Sequence, residues 1–518
     1  MKKLFGITIL AFCIFTNLPA QTVNVPLDHW IYPFIERMET KGIFHTLKTR
    51  SYPLTRTDVA FILAKIDSNQ SRLTSAEVNL LEQFKGEFHE ELSKFDVPHK
   101  PRYEERHVLT WREEQHFAKT DVAFAQVFDS KTGDQYSEAE RTSRTTLGVI
   151  LRGQFGGNLN FLVHAQNTLN RGTDITEENF DPRYGTPVTI SGENVYSDDA
   201  WAYLIWDKSW FQFEFGRDQV KWGPGQRGSL MISAENPLFE MLKVKFSFNR
   251  FQFTSFHGTL HSGVGTKYLA GHRLELKLFD WLHIAGSEAV VYGNRDIELA
   301  YLNPIMPFHV AEHHLGDEDN NTMALDATLI PFKNHKFYFE LFLDDFTTAE
   351  NPFTYYGNKF AFLAGHHWVE PFDLANIDVK WEYTRIEPYV YTHYKDINIY
   401  RNYNQPIGHW LGPNADDLYL DIGYLISRDL QCSISAERIR QGEGDLTMHH
   451  EQSDGVRKEF LGGTVEEKWC FGFKFTDQLF RDVFLSFNYF HIRTDNLNLE
   501  PGRNSTDNYV SFDLYLNW

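Results

Sequence analysis

Six residues combine the two side-chain types that hold a sugar. Trp222 and Trp410 offer flat faces for the CH-rich side of a pyranose, while Arg217, Arg227, Glu288 and Asp416 offer donors and acceptors for its hydroxyls. Three of them crowd into one stretch: Gly216-Arg217-Asp218, then Lys221-Trp222-Gly223-Pro224-Gly225, Arg227 and Gly228-Ser229-Leu230-Met231-Ile232-Ser233. This is a strand end running into a glycine-rich loop, where glycine permits positive φ and close backbone approach. The same stretch has a plainer reading, as a loop folded inward to plug or brace a barrel, with Arg217 paired to lumen acids.

Other chemistries find less support. The carboxylates of Asp344-Asp345, or of Glu382 with Glu387, invite comparison with glycoside hydrolysis. Neighbours on a regular strand point to opposite faces, however, and Glu382 and Glu387 differ in parity. No catalytic residue is expected. Histidines pair at His313-His314, His366-His367 and His449-His450, but such pairs diverge on a strand and no third ligand recurs at a useful spacing. No metal site and no other cofactor is expected. A nucleophile elbow, a P-loop and a dinucleotide fingerprint are all missing from the sequence.

These residues sit in a chain of 518 residues with a formal net charge of −20 and 15% aromatics. That charge sign argues against nucleic acid as a partner. Mean hydropathy is −0.42, so many rings coexist with a polar average, as in a barrel with an apolar outside and a polar lumen. Residues 1–20 read as a signal peptide: Lys2 and Lys3, an apolar stretch from Leu4 to Phe15, and Leu18-Pro19-Ala20 before a cut at Gln21. Of the remaining cysteines, Cys432 and Cys470 either form one disulfide or stay free.

Residues 21–100 read as a three-helix bundle. Trp30, Phe34, Ile35 and Met38 repeat at helical spacing and Gly42 ends that helix. Thr55 caps a second helix carrying Val59, Ile62, Leu63 and Ile66; Thr74 caps a third, with Glu77 completing a capping box ahead of Leu80, Leu81, Phe84 and Phe88. From residue 101 to 518 the period becomes two. Phe211, Phe213 and Phe215 alternate with Gln212 and Glu214; Val244, Phe246 and Phe248 with Lys243, Lys245 and Ser247; Val379, Trp381 and Tyr383 with Asp378, Lys380 and Glu382. Nineteen segments fit this alternation, beginning with 105–117 and 120–128. A single-chain barrel has an even count, so the expectation is a mainly β fold: a transmembrane antiparallel β-barrel of about 18 strands with a small N-terminal helical bundle. Tight turns alternate with long loops at 169–198, 218–241, 293–321, 388–417 and 441–466. The last strand alternates Val510, Phe512, Leu514, Leu516 and Trp518 with polar positions, and is similar to the terminal signal read by the barrel assembly machinery of the outer membrane.

The glycine-rich stretch is followed by Arg273-Leu-Glu275, Ser287-Glu288-Ala289, Tyr301-Leu302-Asn303-Pro304, Asn320-Asn321, Asp326, Glu340, Asp344-Asp345 and Gly408 to Asp417. In that order, and over nearly the whole mature chain, the set resembles the capsule-assembly Wzi family of outer-membrane proteins. Pro26-Leu27-Asp28-His29-Trp30 and Pro53-Leu54-Thr55-Arg56 resemble the family's opening, and faintly the S-layer homology module. The resemblance implies an outer-membrane barrel over a periplasmic bundle, acting as a non-enzymatic lectin for surface polysaccharide. Expected partners are that polysaccharide, outer-membrane lipids, the assembly machinery and, through residues 21–100, peptidoglycan. The rivals are a porin or solute channel, and a structural link between outer membrane and cell wall.

Overall fold

The protein is described by a computed structural model covering residues 22–517 apart from 174, 176–179, 192–193, 209 and 452–454. The proposed signal peptide and the terminal Trp518 lie outside the described residues. Eighteen strands close into one antiparallel barrel. They are His116–Gly133, Glu140–Phe155, Leu159–Gly172, Asn194–Asp207, Phe211–Asp218, Phe239–Ser247, Phe251–Leu260, Lys267–Phe279, Leu282–Gly293, Asn320–Phe332, His335–Asp345, Lys359–Val369, Ile377–Ile386, Ala415–Leu425, Leu430–Gln441, Glu466–Phe480, Val483–Asp495 and Ser505–Asn517. Each pairs with its chain neighbour, and the last closes on the first from Asp507 opposite Gly133 to Asn517 opposite Ala123.

The alternation read from the sequence sets the faces of the wall. Lys243 lies 2.8 Å from Glu214 inside the barrel, while Phe215 and Trp381 stand exposed outside. The nineteenth candidate, 105–117, is not a wall strand. Its residues Leu109–Glu113 fold back on His116–Thr120 and are exposed throughout. They occupy the edge of the first strand just beyond the place where the last strand ends, which is why they carry the same period. Cys432 and Cys470 are free. Cys470 opposes Glu437 and Cys432 opposes Tyr424, so strand alternation puts them on opposite faces of the wall.

One rim is made of short turns: two residues separate Phe279 from Leu282, Phe332 from His335 and Phe480 from Val483. Against it sit three helices, α1 (Ile31–Thr40), α2 (Arg56–Asp67) and α3 (Ser75–Glu87), with a further short helix at His89–Leu92. The expected caps form. Thr55 accepts from the Asp58 amide at 3.0 Å, and Thr74 and Glu77 make a reciprocal capping box. Ile31, Phe34, Met38, Val59, Ile62, Leu63, Leu81, Phe84 and Phe88 form the shared core, each fully or nearly fully buried.

The bundle does not stop at the rim. Glu36 reaches Lys336 at 3.0 Å and Lys380 at 2.8 Å on the wall. Asn24 donates to Asp218 at 2.6 Å, and Ser51 donates to Glu275 at 2.6 Å. Arg273, fully enclosed, holds Asp326 at 2.6 Å and Glu275 at 2.9 Å. Asp218, Arg273, Glu275, Asp326 and Lys380, all noted in the sequence, therefore line the lumen where the N-terminal segment enters.

Candidate functional site

From the opposite rim, two long loops turn back into the barrel. In residues 219–238, Lys221–Trp222 pairs antiparallel with Ser51–Tyr52 of the N-terminal segment, and Trp222 bridges Ile232. The two inserts thus meet as a two-stranded sheet inside the lumen. Trp222, Leu230, Met231 and Ile232 pack with Phe256, Leu269, Val291, Phe342, Leu363, Tyr391 and Tyr400 into the largest apolar core of the molecule. Their burial, at about 1.5–3 kcal/mol for each large side chain, draws the loop inward.

Inward placement leaves backbone amides facing the wall, and two wall carboxylates meet them. Glu340 accepts from the amides of Leu230 at 3.0 Å and Met231 at 2.9 Å. Glu382 accepts from Gln226 at 2.6 Å and Arg227 at 2.9 Å, and from the Tyr338 hydroxyl at 2.8 Å. Each carboxylate grips two consecutive amides. Gly223, at φ +121°, passes so close to the Glu340 carboxylate that a Cβ there would lie 2.6 Å from it. The second loop, 387–414, latches the first: the hydroxyls of Tyr391 and Tyr400 donate to the carbonyls of Leu230 and Met231, each at 2.8 Å. Lys221 donates to the Gly225 carbonyl at 2.8 Å, and burial pulls its ammonium below the usual lysine range despite Glu36 and Glu382 nearby.

The six candidate residues do not converge. Trp222 is 1% exposed, with Phe256 edge-on at 5.1 Å, so neither face is open to a ligand and the ring acts as a brace. Arg227 pairs with Glu437 at 2.6 Å, beneath the rings of Tyr419 and Trp410. Trp410 donates its indole N–H to the Arg227 carbonyl at 2.8 Å. These three share the lumen. The other three follow the outward alternation. Arg217 reaches Asp199 at 3.0 Å. Asp416 accepts from Tyr383 at 3.1 Å and from Arg440 at 2.9 Å. Glu288 pairs with His272 at 2.9 Å and accepts from the amides of Phe308 and His309 at 2.9 and 2.6 Å. It caps the helix Phe308–Leu315, which lies on the outer wall over Ala270, Val290 and Tyr292. A single sugar site built from all six is excluded by this split.

The carboxylates considered for hydrolysis are also engaged separately. Asp344 accepts from the Tyr391 amide at 2.6 Å, Asp345 pairs with Lys359 at 2.7 Å, and Glu387 pairs with Lys458 at 3.1 Å. Among the described residues no group of three or more His, Cys, Asp or Glu is placed to hold a metal ion.

The gripping role of Glu340 and Glu382 was not legible as such. Their strand parity marks them as luminal, but nothing local says that a loop more than a hundred residues away supplies the amides. The open long-loop rim carries rings that the sequence pattern did not mark, Phe353 at 52% and Tyr394 at 58% exposure and Tyr356, which stacks on His450 with centroids 3.7 Å apart.

A family model described as capsule assembly protein Wzi matches residues 113–509. Among solved structures, the chain is similar to Wzi of Escherichia coli, described as an outer membrane protein involved in group 1 capsule assembly and as a carbohydrate-binding β-barrel. Identity is 13%, covering 95% of this chain and 99% of that one, with a TM-score of 0.58. It is also similar to OccAB1 of Acinetobacter baumannii, at 8% identity, 77% and 96% coverage and a TM-score of 0.47. A BenF-like porin of Pseudomonas fluorescens gives 8% identity, 77% and 99% coverage and the same TM-score of 0.47. No curated protein sequence gives a significant match.

Proposed function

The chain belongs to the capsule assembly Wzi family, and from that premise we propose that it is an outer-membrane β-barrel that binds and organises surface polysaccharide without catalysing a reaction. The filled lumen carries this reading. A wall whose own loop is gripped at four amides by Glu340 and Glu382 offers a surface rather than a passage. The similar E. coli barrel is described as carbohydrate-binding, which favours saccharide as the ligand class. The open rim supplies fitting chemistry in the exposed rings of Phe353 and Tyr394 and in the Tyr356–His450 stack.

The membrane setting follows from the two faces of the wall. Exposed outward rings suit hydrocarbon, whereas a basic side chain at mid-bilayer costs about 2–4 kcal/mol. In this reading residues 1–20 direct export, the barrel is inserted by the assembly machinery, and the helical bundle at the short-turn rim faces the periplasm. Contact between residues 21–100 and peptidoglycan is a separate proposal, checked by sedimentation of the full chain with purified sacculi.

The test is the ratio of cell-bound to shed polysaccharide after gene deletion, with complementation by the intact gene. A fall in the bound fraction that complementation restores is expected; an unchanged ratio sinks the proposal.

A further inference from the structure

The outer wall carries a second built feature, away from the filled lumen. Between the strands His116–Gly133, Glu140–Phe155, Leu159–Gly172 and Ser505–Asn517, near their long-loop ends, lies a cavity of about 740 Å³. Its lining includes Phe128, Ser130, Arg141, Ser143, Arg171 and Phe512. Register fixes their common direction. Ser130 opposes Arg141, Phe128 opposes both Ser143 and Phe512, and Ser143 opposes Arg171. Residues directly opposite in an antiparallel pair share a face, so all six point outward, and Arg141 and Arg171 are diagonal neighbours on adjacent strands.

The arrangement is apolar below and cationic above. Phe128 is 53% and Phe512 49% exposed, and Leu147 and Val149 continue the outward apolar band toward the short-turn rim. Arg141 lies six residues beyond Leu147 on the same strand, about 20 Å along it and so about 15 Å along the barrel axis at an ordinary tilt. That places the guanidiniums at the edge of the band rather than in its middle, where an arginine is tolerated at the height of lipid headgroups. Among the described residues neither Arg141 nor Arg171 has an ion-pair partner, whereas nearly every luminal arginine does. The hydroxyls of Ser130 and Ser143 add short-range donors between them.

We propose that this cleft binds the phosphate headgroup of a membrane lipid in the leaflet at the long-loop rim, with the acyl chain lying against Phe128 and Phe512. Two guanidiniums suit the charge and geometry of phosphate oxygens, and the serines suit the remaining acceptors. The inference rests on the outer-membrane reading above.

Detergent-purified full-length protein, reconstituted into phosphatidylcholine nanodiscs doped with diphosphorylated lipid A, supplies the test. The readout is lipid A retained per protein. Parallel arms use phosphatidylcholine alone, inorganic phosphate as competitor, and the variants Arg141→Gln, Arg171→Gln and the pair together. Wild-type enrichment of lipid A, reduced about fivefold by each substitution and about thirtyfold by both, is expected. Equal retention by wild type and the double variant overturns the proposal, as does displacement by inorganic phosphate at the concentration of the lipid. Both side chains are exposed, and unchanged heat-dependent gel mobility of the variants verifies their folding. A protein that stays in solution without detergent would instead overturn the membrane reading itself.

Discussion

The two inserts that fill the lumen are held by different physics. The N-terminal segment enters through the short-turn rim and is secured by pairs of charged side chains: Glu36 with Lys336 and Lys380, Asp58 with Lys245 at 3.7 Å, and Arg37 with Glu370 at 3.1 Å. The loop 219–238 enters from the long-loop rim and is secured by wall carboxylates on its backbone amides, over an apolar core centred on Trp222. Ion pairs between side chains vanish when one partner loses its charge. A carboxyl that grips amides can also take up a proton, but it still accepts through its carbonyl oxygen, and apolar burial does not titrate. The insert at the short-turn rim is therefore the releasable one, while the insert from the long-loop rim is part of the barrel's permanent core.

The largest expected effect is on the permanent side. Trp222→Ala leaves a cavity among Phe256, Leu269 and Ile232 and is expected to cost about 3–5 kcal/mol, read as a lower temperature for loss of folded-barrel mobility on gels. Next comes Glu340→Ala, which orphans the amides of Leu230 and Met231 at about 1–3 kcal/mol each. It should raise protease cutting within 219–238 and leave the N-terminal bundle protected. Cutting in the bundle instead would break the proposed division.

Acid should act on the other insert. Burial alone would raise the carboxyls of Glu36, Asp58 and Glu105. Lys336 and Lys380, Lys48 and Lys245, and Arg152 and Arg56 respectively hold them below the ordinary carboxylate range. A depressed native pKa contributes stability that is present above the unfolded value, about 4.3 for glutamate and 3.9 for aspartate, and is lost as pH falls further. Protease access to residues 22–100 is therefore expected to be low at pH 7 and to rise below about pH 4, ahead of access to 219–238. Simultaneous opening would erase the contrast. The smallest effect belongs to Arg217→Ala, whose partly exposed pair with Asp199 is worth under about 1 kcal/mol by the same gel assay.

Strand existence was legible because burial on one side imposes a period of two, and the caps at Thr55 and Thr74 were legible because they are local. The extra segment at 105–117 misled because an edge-pairing hairpin obeys the same period as a wall strand. The rule of rings outside and charges inside fails in the upper lumen, where Phe256, Phe342 and Leu269 point inward. It fails because the loop supplies apolar partners, a contact no local pattern records. For the same reason Trp222 and Glu288 looked like ligand-binding groups, although one is a buried brace and the other caps a helix folded over the outer wall.

Single-channel conductance in planar bilayers tests the clamped lumen most directly. Wild-type protein is predicted to give no steady pore, and Glu340→Ala combined with Glu382→Ala to give one. A large, steady wild-type conductance would contradict the clamp and return the barrel to the porins.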